Sequence, residues 1–166
     1  ASRRPPARVR RILVVRLDQI GDGILTLPLV AGLREAFPGV RIDWVVRPPL
    51  VPILEPSAGA DVRIIPIDVP WWSGSACGRR KYLASFIRFA ARIRTARYDI
   101  AIAPRPADWR DALCLVLARA RWRAGFDCAG LGFAMSALLR EDPGVHIAEE
   151  NAQALRLFGR RGPAPA

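Results

Sequence analysis

The chain has 166 residues, of which 51% are hydrophobic and 25% charged, so it can bury the core of one domain and is not intrinsically disordered. Its 26 basic residues exceed its 15 acidic ones, and the net charge of +11 either favours anionic partners or reflects a compositional bias, since all but Lys81 are arginine. No apolar run is long enough to span a bilayer, and Cys77, Cys114 and Cys128 show no zinc or disulfide spacing, which fits a reducing cytoplasm.

The first half of the chain alternates between predicted strands and helices. Strands are predicted at 12–15, 42–46 and 62–67, a helix from about Ile24 to Phe37, and a short helix near 49–55. A turn-rich stretch at 18–23 separates the first strand from the first helix. Pro66 predicts that the third strand either lies at an edge of the sheet or bends near its end.

The second half continues this alternation. Helices are predicted at 80–95, 109–120 and 147–158, and strands at 100–103 and 122–126, whereas 131–139 is ambiguous. On the first of these helices the predicted apolar face consists of Leu83, Phe86, Ile87, Ala90 and Ile93. Asp108 is predicted to cap the next helix. Together these elements predict an α/β domain with a parallel sheet covered by helices on both faces.

The ends of the chain differ in composition from this domain. Residues 1–9 are basic and proline-rich and are predicted to be a flexible, trimmed or processed N-terminus, whereas 10–159 form the domain. Residues 160–166 have the composition of an interdomain linker. Ligands of parallel sheets bind beyond the carboxyl ends of the strands, so the loops at 17–23, 68–80 and 104–110 are the candidate binding loops.

Asp22 is the strongest candidate for chemistry. It lies between two glycines at the junction of the first strand and helix, where backbone N–H groups favour an anion, and its carboxylate suits a general base acting on a hydroxyl. The alternative is that Asp22 only caps the helix. A dinucleotide-binding fingerprint is excluded, because Thr26 replaces its third glycine.

Three segments resemble glycosyltransferase family 9, the lipopolysaccharide heptosyltransferases. The first is RILVVRLDQIGDGILTLPLVAGLREAFPGVRIDWVV, Arg11 to Val46, and the others are YDIAIAPRPADWRDALCLVLARARWRAGFD, Tyr98 to Asp127, and HIAEENAQALRLFG, His146 to Gly159. The residues of the first segment that match are Arg16, Gly21, Asp22, Thr26, Pro28, Phe37 and Pro38. Asp18 and Gln19 depart from the small hydroxyl residues that the family often has there.

The resemblance implies a Rossmann-like doubly wound sheet that is the N-terminal, acceptor-binding half of a GT-B glycosyltransferase, with the C-terminal donor domain absent. Asp22 would then be the catalytic base of an inverting sugar transfer, with Arg16 and Gly21 beside it at the acceptor. The donor is a nucleotide-sugar cosubstrate, and neither a cofactor nor a metal is expected. The acceptor is an anionic glycolipid such as lipopolysaccharide core, and heptose is the expected sugar.

Two further loops carry candidate acceptor contacts. Arg79, Arg80 and Lys81 are predicted to clamp acceptor phosphate or carboxylate groups, with Trp71 and Trp72 on lipid or sugar faces; the alternative is a solvated loop. Arg105 either contacts the acceptor or pairs with a nearby aspartate. His146 is predicted to be structural, and Cys114 to be a buried small hydrophobic residue.

Two other functions remain open from the sequence. One is a non-catalytic carbohydrate-binding or scaffold module, and the other is a basic nucleic-acid-binding domain, for which no recognition motif is present, so no specific nucleic acid is expected. An isolated acceptor half is expected to be inactive. The expected location is cytoplasmic, with peripheral association with the cytoplasmic face of the inner membrane as an additional expectation.

Overall fold

The computed structural model describes residues 4–17, 19–67, 79–104, 109–127, 130–140 and 144–159, and of residues 79–83 the backbone alone. Its centre is a six-stranded sheet in the order β3-β2-β1-β4-β5-β6. The strands are β1 Arg11–Val15, β2 Arg41–Val46, β3 Val62–Pro66, β4 Ile100–Ile102, β5 Trp122–Gly125 and β6 Ala137–Leu138. Every neighbouring pair is parallel, which confirms the predicted fold class, and β3 with Pro66 lies at one edge as predicted.

Helices cover both faces of this sheet. They are α1 Ile20–Ile24, α2 Leu27–Ala36, α3 Val51–Ala58, α4 Arg79–Thr95, α5 Trp109–Leu117 and α6 Ile147–Ala152. Short 3-10 segments precede α3 at Pro48–Leu50, follow β5 at Leu131–Ala134 and continue α6 at Gln153–Phe158. The parallel sheet lies between two helical layers because each connection carries the chain back to the amino end of the next strand.

The buried strand β1 divides the core into two apolar clusters. Ile12 and Val14 pack on one face with α2, α3 and the segment after α6, whereas Leu13 and Val15 pack on the other face with α4 and α5. Successive side chains of a strand point to opposite faces, so a strand with helices on both sides is apolar throughout. This accounts for the continuous aliphatic run from which β1 was predicted.

Three predicted features differ from the structure. The turn-rich stretch at 18–23 was expected to be a loop, but Ile20–Ile24 form α1. The last helix is α-helical only to Ala152, beyond which Gln153–Phe158 is a 3-10 segment. The helix after β4 ends at Leu117 because Arg119 turns the chain with a φ of 50°.

The apolar face of α4 is also rotated from the predicted one. Phe89 and Ile93 are buried against the sheet, whereas Ile87 is 57% exposed. Each helical residue turns by about 100°, so Phe86, Phe89 and Ile93 share a stripe from which Ile87 is displaced. The ambiguous stretch at 131–139 contains the 3-10 segment Leu131–Ala134 and the edge strand β6.

Candidate active site at the carboxyl end of the first strand

The candidate site begins where β1 ends, at the carboxyl edge of the sheet. The Arg16 N–H donates to the carbonyl of Val45 on β2 at 3.0 Å, which extends the ladder by one residue. The chain then reaches α1, whose first turn contains Asp22. The predicted binding loop and its acidic residue are therefore at the edge of the sheet where ligands of such folds bind.

Arg16 and Asp22 form an ion pair in which the arginine is buried and the aspartate is partly exposed to solvent. Arg16 Nη2 lies 3.1 Å from Asp22 Oδ1, and the side chains are 1% and 25% exposed, respectively. A buried guanidinium needs a negative partner because its desolvation costs on the order of several kcal/mol. The pair therefore fixes the carboxylate from the protein side and leaves part of it accessible from solvent.

Asp22 does not cap a helix. The N-cap position of α1 is Gln19 and that of α2 is Thr26, and neither side chain makes a capping hydrogen bond. Asp22 lies inside the first turn of α1 instead. The capping alternative considered from the sequence is therefore wrong.

Thr26 holds the backbone of Asp22. Its buried Oγ1 donates to the Asp22 carbonyl at 2.8 Å, and its N–H donates to the Gly23 carbonyl at 3.1 Å. Pro28 lies in the first turn of α2, where its missing N–H costs nothing. The Thr-x-Pro motif thus closes α1 and begins α2, a role that the sequence motif did not reveal for Thr26.

The two glycines beside Asp22 have different surroundings. A Cβ built on Gly21 would meet nothing within 4 Å, whereas one on Gly23 would lie 2.7 Å from Cδ2 of Leu50. Gly23 allows α1 to pack closely on the Leu50 side chain, which a Cβ at this position would force to shift. Gly21 leaves open space next to Asp22.

A residue missed from the sequence completes the support of this segment. Asn151 of α6 is fully buried, and its Nδ2 donates to the carbonyl of Leu25 at 2.9 Å. The two residues are 126 positions apart, so only the tertiary structure shows the bond. His146 begins the same helix, where its Nδ1 accepts the N–H of Ala148 at 3.2 Å, and its predicted structural role is confirmed.

The other predicted acceptor contacts are only partly covered by the structure. Arg79, Arg80 and Lys81 lie in the first turn of α4, and their side chains are outside the described part. The other predicted positions that lie outside the described residues are Asp18, Trp71, Trp72, Arg105 and Asp108. These contacts stay predictions.

A second polar cluster lies under the α4–α5 layer. The buried Asp43 carboxylate accepts from Nε and Nη2 of Arg63 at 2.9 and 2.7 Å, from Arg11 Nη2 at 3.2 Å and from the Tyr98 hydroxyl. Burial, with the Asp43 hydrogen bond second, raises the pKa of Tyr98 well above its usual range. The hydrogen bonds that Arg63 donates to Asp43 also raise the pKa of Arg63. This Asp43 cluster joins β1, β2, β3 and the start of β4 and is structural.

Cys114 is buried in α5, as predicted. Burial raises the pKa of its thiol above the usual range, which makes it a poor nucleophile. Within the described ranges no group of three or more His, Cys, Asp or Glu side chains is arranged to hold a metal ion. In the same ranges no helix has the length and apolarity to cross a membrane.

Comparison with known proteins gives one consistent group of relatives. No protein-family model matches the chain. Lipopolysaccharide heptosyltransferase 1 of Pseudomonas aeruginosa is 30% identical over 94 residues, covering 55% of this chain and 25% of that protein. The enzyme of the same name from Escherichia coli K12 is 32% identical over 98 residues, covering 55% and 28%.

Solved structures match a larger part of the chain. A glycosyl transferase family 9 protein from Veillonella parvula has a TM-score of 0.75 and 24% identity, covering 92% of this chain and 42% of its own. The E. coli heptosyltransferase WaaC with ADP-2-deoxy-2-fluoro heptose has a TM-score of 0.73 and 23% identity, covering 94% and 50%. At these identities the structural match establishes the fold.

The chain spans about a quarter of the length of the curated relatives it matches and half or less of these solved structures. Its sequence relatives are glycosyltransferases, and its six-stranded sheet corresponds to about half of a GT-B enzyme. The chain thus has the Rossmann-like α/β fold of one GT-B half and resembles the lipopolysaccharide heptosyltransferases of glycosyltransferase family 9, as its motifs predicted.

Proposed function

We propose that this chain is the acceptor-binding half of an inverting glycosyltransferase that transfers heptose to lipopolysaccharide core, with Asp22 as the general base. The observation that carries the proposal is the pairing of the partly open Asp22 carboxylate with the buried Arg16 guanidinium at the carboxyl edge of the sheet. The heptosyltransferase names of the sequence relatives supply the reaction class. One solved relative holds an ADP-heptose analogue, so ADP-heptose is the proposed donor.

In the proposed reaction, an Asp22 oxygen takes the proton from a hydroxyl of the acceptor sugar. The hydroxyl oxygen forms a bond to the anomeric carbon of the donor while the bond from that carbon to the diphosphate oxygen breaks. Attack opposite the leaving group inverts the anomeric configuration, and the nucleoside diphosphate departs with the electron pair. A positioned general base accelerates such a step, typically by a factor of about 10²–10⁴ in rate.

Arg16 acts in this proposal through Asp22 and not as an acceptor contact. Its side chain is 1% exposed, so an acceptor sugar on the solvent side meets the carboxylate first. Gly21, by contrast, is exposed and bordered by open space, which suits close approach of a sugar to the backbone. We keep Gly21 as an acceptor contact and assign Arg16 the positioning of Asp22.

The proposed acceptor is an anionic glycolipid. Arg79, Arg80, Lys81 and Arg105 are the proposed contacts to its phosphate or carboxylate groups, because guanidinium and ammonium groups form strong, charge-assisted bonds to such anions. A cytoplasmic location and peripheral association with the inner membrane belong to the same proposal. Residues 160–166 are proposed as the link to the donor half.

Titration of the chain with a deacylated lipopolysaccharide-core oligosaccharide, followed by amide NMR, tests acceptor binding. The proposal expects saturable shifts centred on Gly21, Asp22 and Gly23. Gly21→Ala should fold normally, because its Cβ meets open space, but should bind at least about tenfold more weakly by obstructing the sugar. Ala31→Gly, at an exposed position of α2 away from the site, is the control.

Other outcomes point to the other functions. Saturable binding in a natural polypeptide that transfers no sugar would support a non-catalytic carbohydrate-binding module. Binding to nucleic acid that falls steeply with salt, together with no shifts from the oligosaccharide, would support the basic nucleic-acid-binding domain. Either result would overturn the transferase proposal.

A further inference from the structure

The backbone carbonyl of Leu25 lies at the junction between α1 and α2. α1 ends at Ile24 and α2 begins at Leu27, and the first bond of α2 runs from the Val30 N–H to the Thr26 carbonyl. The Leu25 carbonyl therefore lies outside both helical ladders. A carbonyl that is shielded from water and has no donor costs about 1–3 kcal/mol by the general range for lost hydrogen bonds, so a donor from elsewhere in the fold stabilises this junction.

Asn151 supplies that donor from a position 126 residues later in the sequence. Its Nδ2 lies 2.9 Å from the Leu25 oxygen, and the asparagine is fully buried in α6, which packs against α2. Burying an amide side chain among apolar residues costs free energy unless the amide forms hydrogen bonds. The position of Asn151 opposite the Leu25 carbonyl provides such a bond.

The bonds of this junction reach Asp22 directly. The Leu25 N–H donates to the Gly21 carbonyl at 2.9 Å, and the neighbouring Thr26 hydroxyl donates to the carbonyl of Asp22 at 2.8 Å. Leu25, whose carbonyl accepts the Asn151 bond, and its neighbour Thr26 therefore bind the carbonyls of Gly21 and Asp22. These two bonds fix the backbone that carries the Asp22 side chain.

α1 depends on contacts with other parts of the chain. A five-residue helix is not stable alone, and the N-cap residue Gln19 makes no side-chain capping bond. Ile20 and Ile24 are 46% and 40% exposed, so α1 gains little from apolar burial on that side. Its apolar anchor is the close contact of Gly23 with Leu50.

From this geometry we propose that Asn151 is a positioning residue for the catalytic base: its bond to the Leu25 carbonyl locks the α1–α2 junction and thereby holds Asp22 against Arg16. This inference rests on the proposed function for its catalytic consequence. The lock itself is a property of the folded chain and is measurable without any sugar transfer.

Hydrogen exchange on the chain itself tests the lock. Asn151→Leu has a similar size and removes the donor, so the Leu25 and Thr26 amides should lose about tenfold protection relative to the Leu33 amide inside α2. Leu155→Ala is the control, because Leu155 is buried against Gly32 of α2 and its apolar side chain forms no hydrogen bond to the Leu25 carbonyl. Its loss of packing should lower the protection of all three amides together. Equal losses in both variants, or unchanged protection in Asn151→Leu, would overturn the lock.

Kinetics on the natural polypeptide that contains this chain test the consequence for catalysis. Asn151→Leu should lower kcat about tenfold with the KM for the nucleotide-sugar unchanged, because the base is displaced and the donor site is not. Leu155→Ala, assayed where it is folded, should keep kcat. A parallel rise in KM for the donor, or an equal loss of kcat in both variants, would contradict positioning. If Asp22→Asn transfers sugar normally, the proposed function fails, and the exchange experiment still decides the lock.

Discussion

The Arg16 guanidinium is almost fully buried 3.1 Å from the Asp22 carboxylate, which is a quarter exposed. The Asp22 carboxylate therefore has two roles, and a substitution of Asp22 removes both at once. It compensates a buried positive charge, and in the proposed reaction it accepts a proton. A loss of activity in an Asp22 variant therefore needs to be separated from a loss of stability.

A double-mutant cycle separates the two effects. Asp22→Asn leaves the buried Arg16 charge without this carboxylate and should lower the free energy of unfolding by about 1–3 kcal/mol. Adding Arg16→Met removes the charge, so the double variant should lose less than the sum of the single losses. Denaturant unfolding of the four proteins measures the coupling. Asp61→Asn, whose exposed pair with Arg34 spans 3.8 Å, is the matched control and should change stability by less than about 0.5 kcal/mol. Additive losses at Arg16 and Asp22 would show that the pair is not energetically coupled.

The Asp43 cluster should contribute far more stability than any exposed ion pair. Asp43→Asn keeps the size of the side chain but removes the charge that two arginines and the Tyr98 hydroxyl contact, so we expect a loss of about 2–4 kcal/mol. Thermal and urea unfolding measure it. If Asp43→Asn lowers the free energy of unfolding no more than Asp61→Asn does, water replaces the hydrogen bonds that the Asp43 carboxylate accepts.

Tyr98 makes stability fall at high pH. Its pKa is raised above the ordinary 10.0, first by burial and then by the hydrogen bond to Asp43, so the folded state keeps a proton that the unfolded state loses. The contribution is complete below about pH 10 and declines as the pH rises toward the raised pKa, by at most about 1.4 kcal/mol per pH unit. Cys114 acts in the same direction above its ordinary value of 9.0.

The Tyr98→Phe variant isolates this effect. It should be less stable by about 1 kcal/mol at neutral pH because a hydrogen bond is lost, and the difference from the unmodified chain should shrink above pH 10. Both proteins retain Cys114, so its titration cancels. Unfolding free energies measured from pH 7 to pH 11 test the prediction, and parallel curves would refute it.

Arg119 occupies a backbone conformation that glycine adopts more easily. Its φ is 50°, and it lies two residues beyond the last residue of α5, where a left-handed residue ends many helices. Arg119→Gly should raise the free energy of unfolding by about 0.5–1 kcal/mol by relieving this strain. Arg119→Ala removes the same side chain without relieving the strain and should give no gain. If Arg119→Gly and Arg119→Ala change the free energy of unfolding equally, the change comes from the loss of the guanidinium and not from relief of backbone strain.

The strands were predictable because burial on both faces leaves a clear sequence pattern. The aliphatic run of β1 fits a strand buried between two helical layers, as the structure shows. The orientation of α4 was less determined, since Phe86, Ile87 and Phe89 are all apolar and only the position of the sheet decides that Ile87 faces solvent.

The site was predictable only as far as its local motif. Asp22 stands out because two glycines flank it, but the same glycines disfavour a helix and so hid α1. α1 forms because bonds from Thr26 and Asn151 and the contact with Leu50 compensate for that preference. A basic residue after a strand ordinarily indicates a ligand contact. The burial of Arg16 was not predictable from the local sequence, because it depends on tertiary packing.

The central claim is that Asp22 removes a proton from the acceptor, and sugar transfer by the natural polypeptide containing this chain tests it most directly. Asp22→Asn and Asp61→Asn are compared with the unmodified protein, with heptose transfer from ADP-heptose to lipopolysaccharide core measured at a temperature where unfolding curves show all three folded. The account predicts that Asp22→Asn lowers kcat by at least about 10², whereas Asp61→Asn does not change it. Transfer by folded Asp22→Asn at the rate of the unmodified protein would contradict the account.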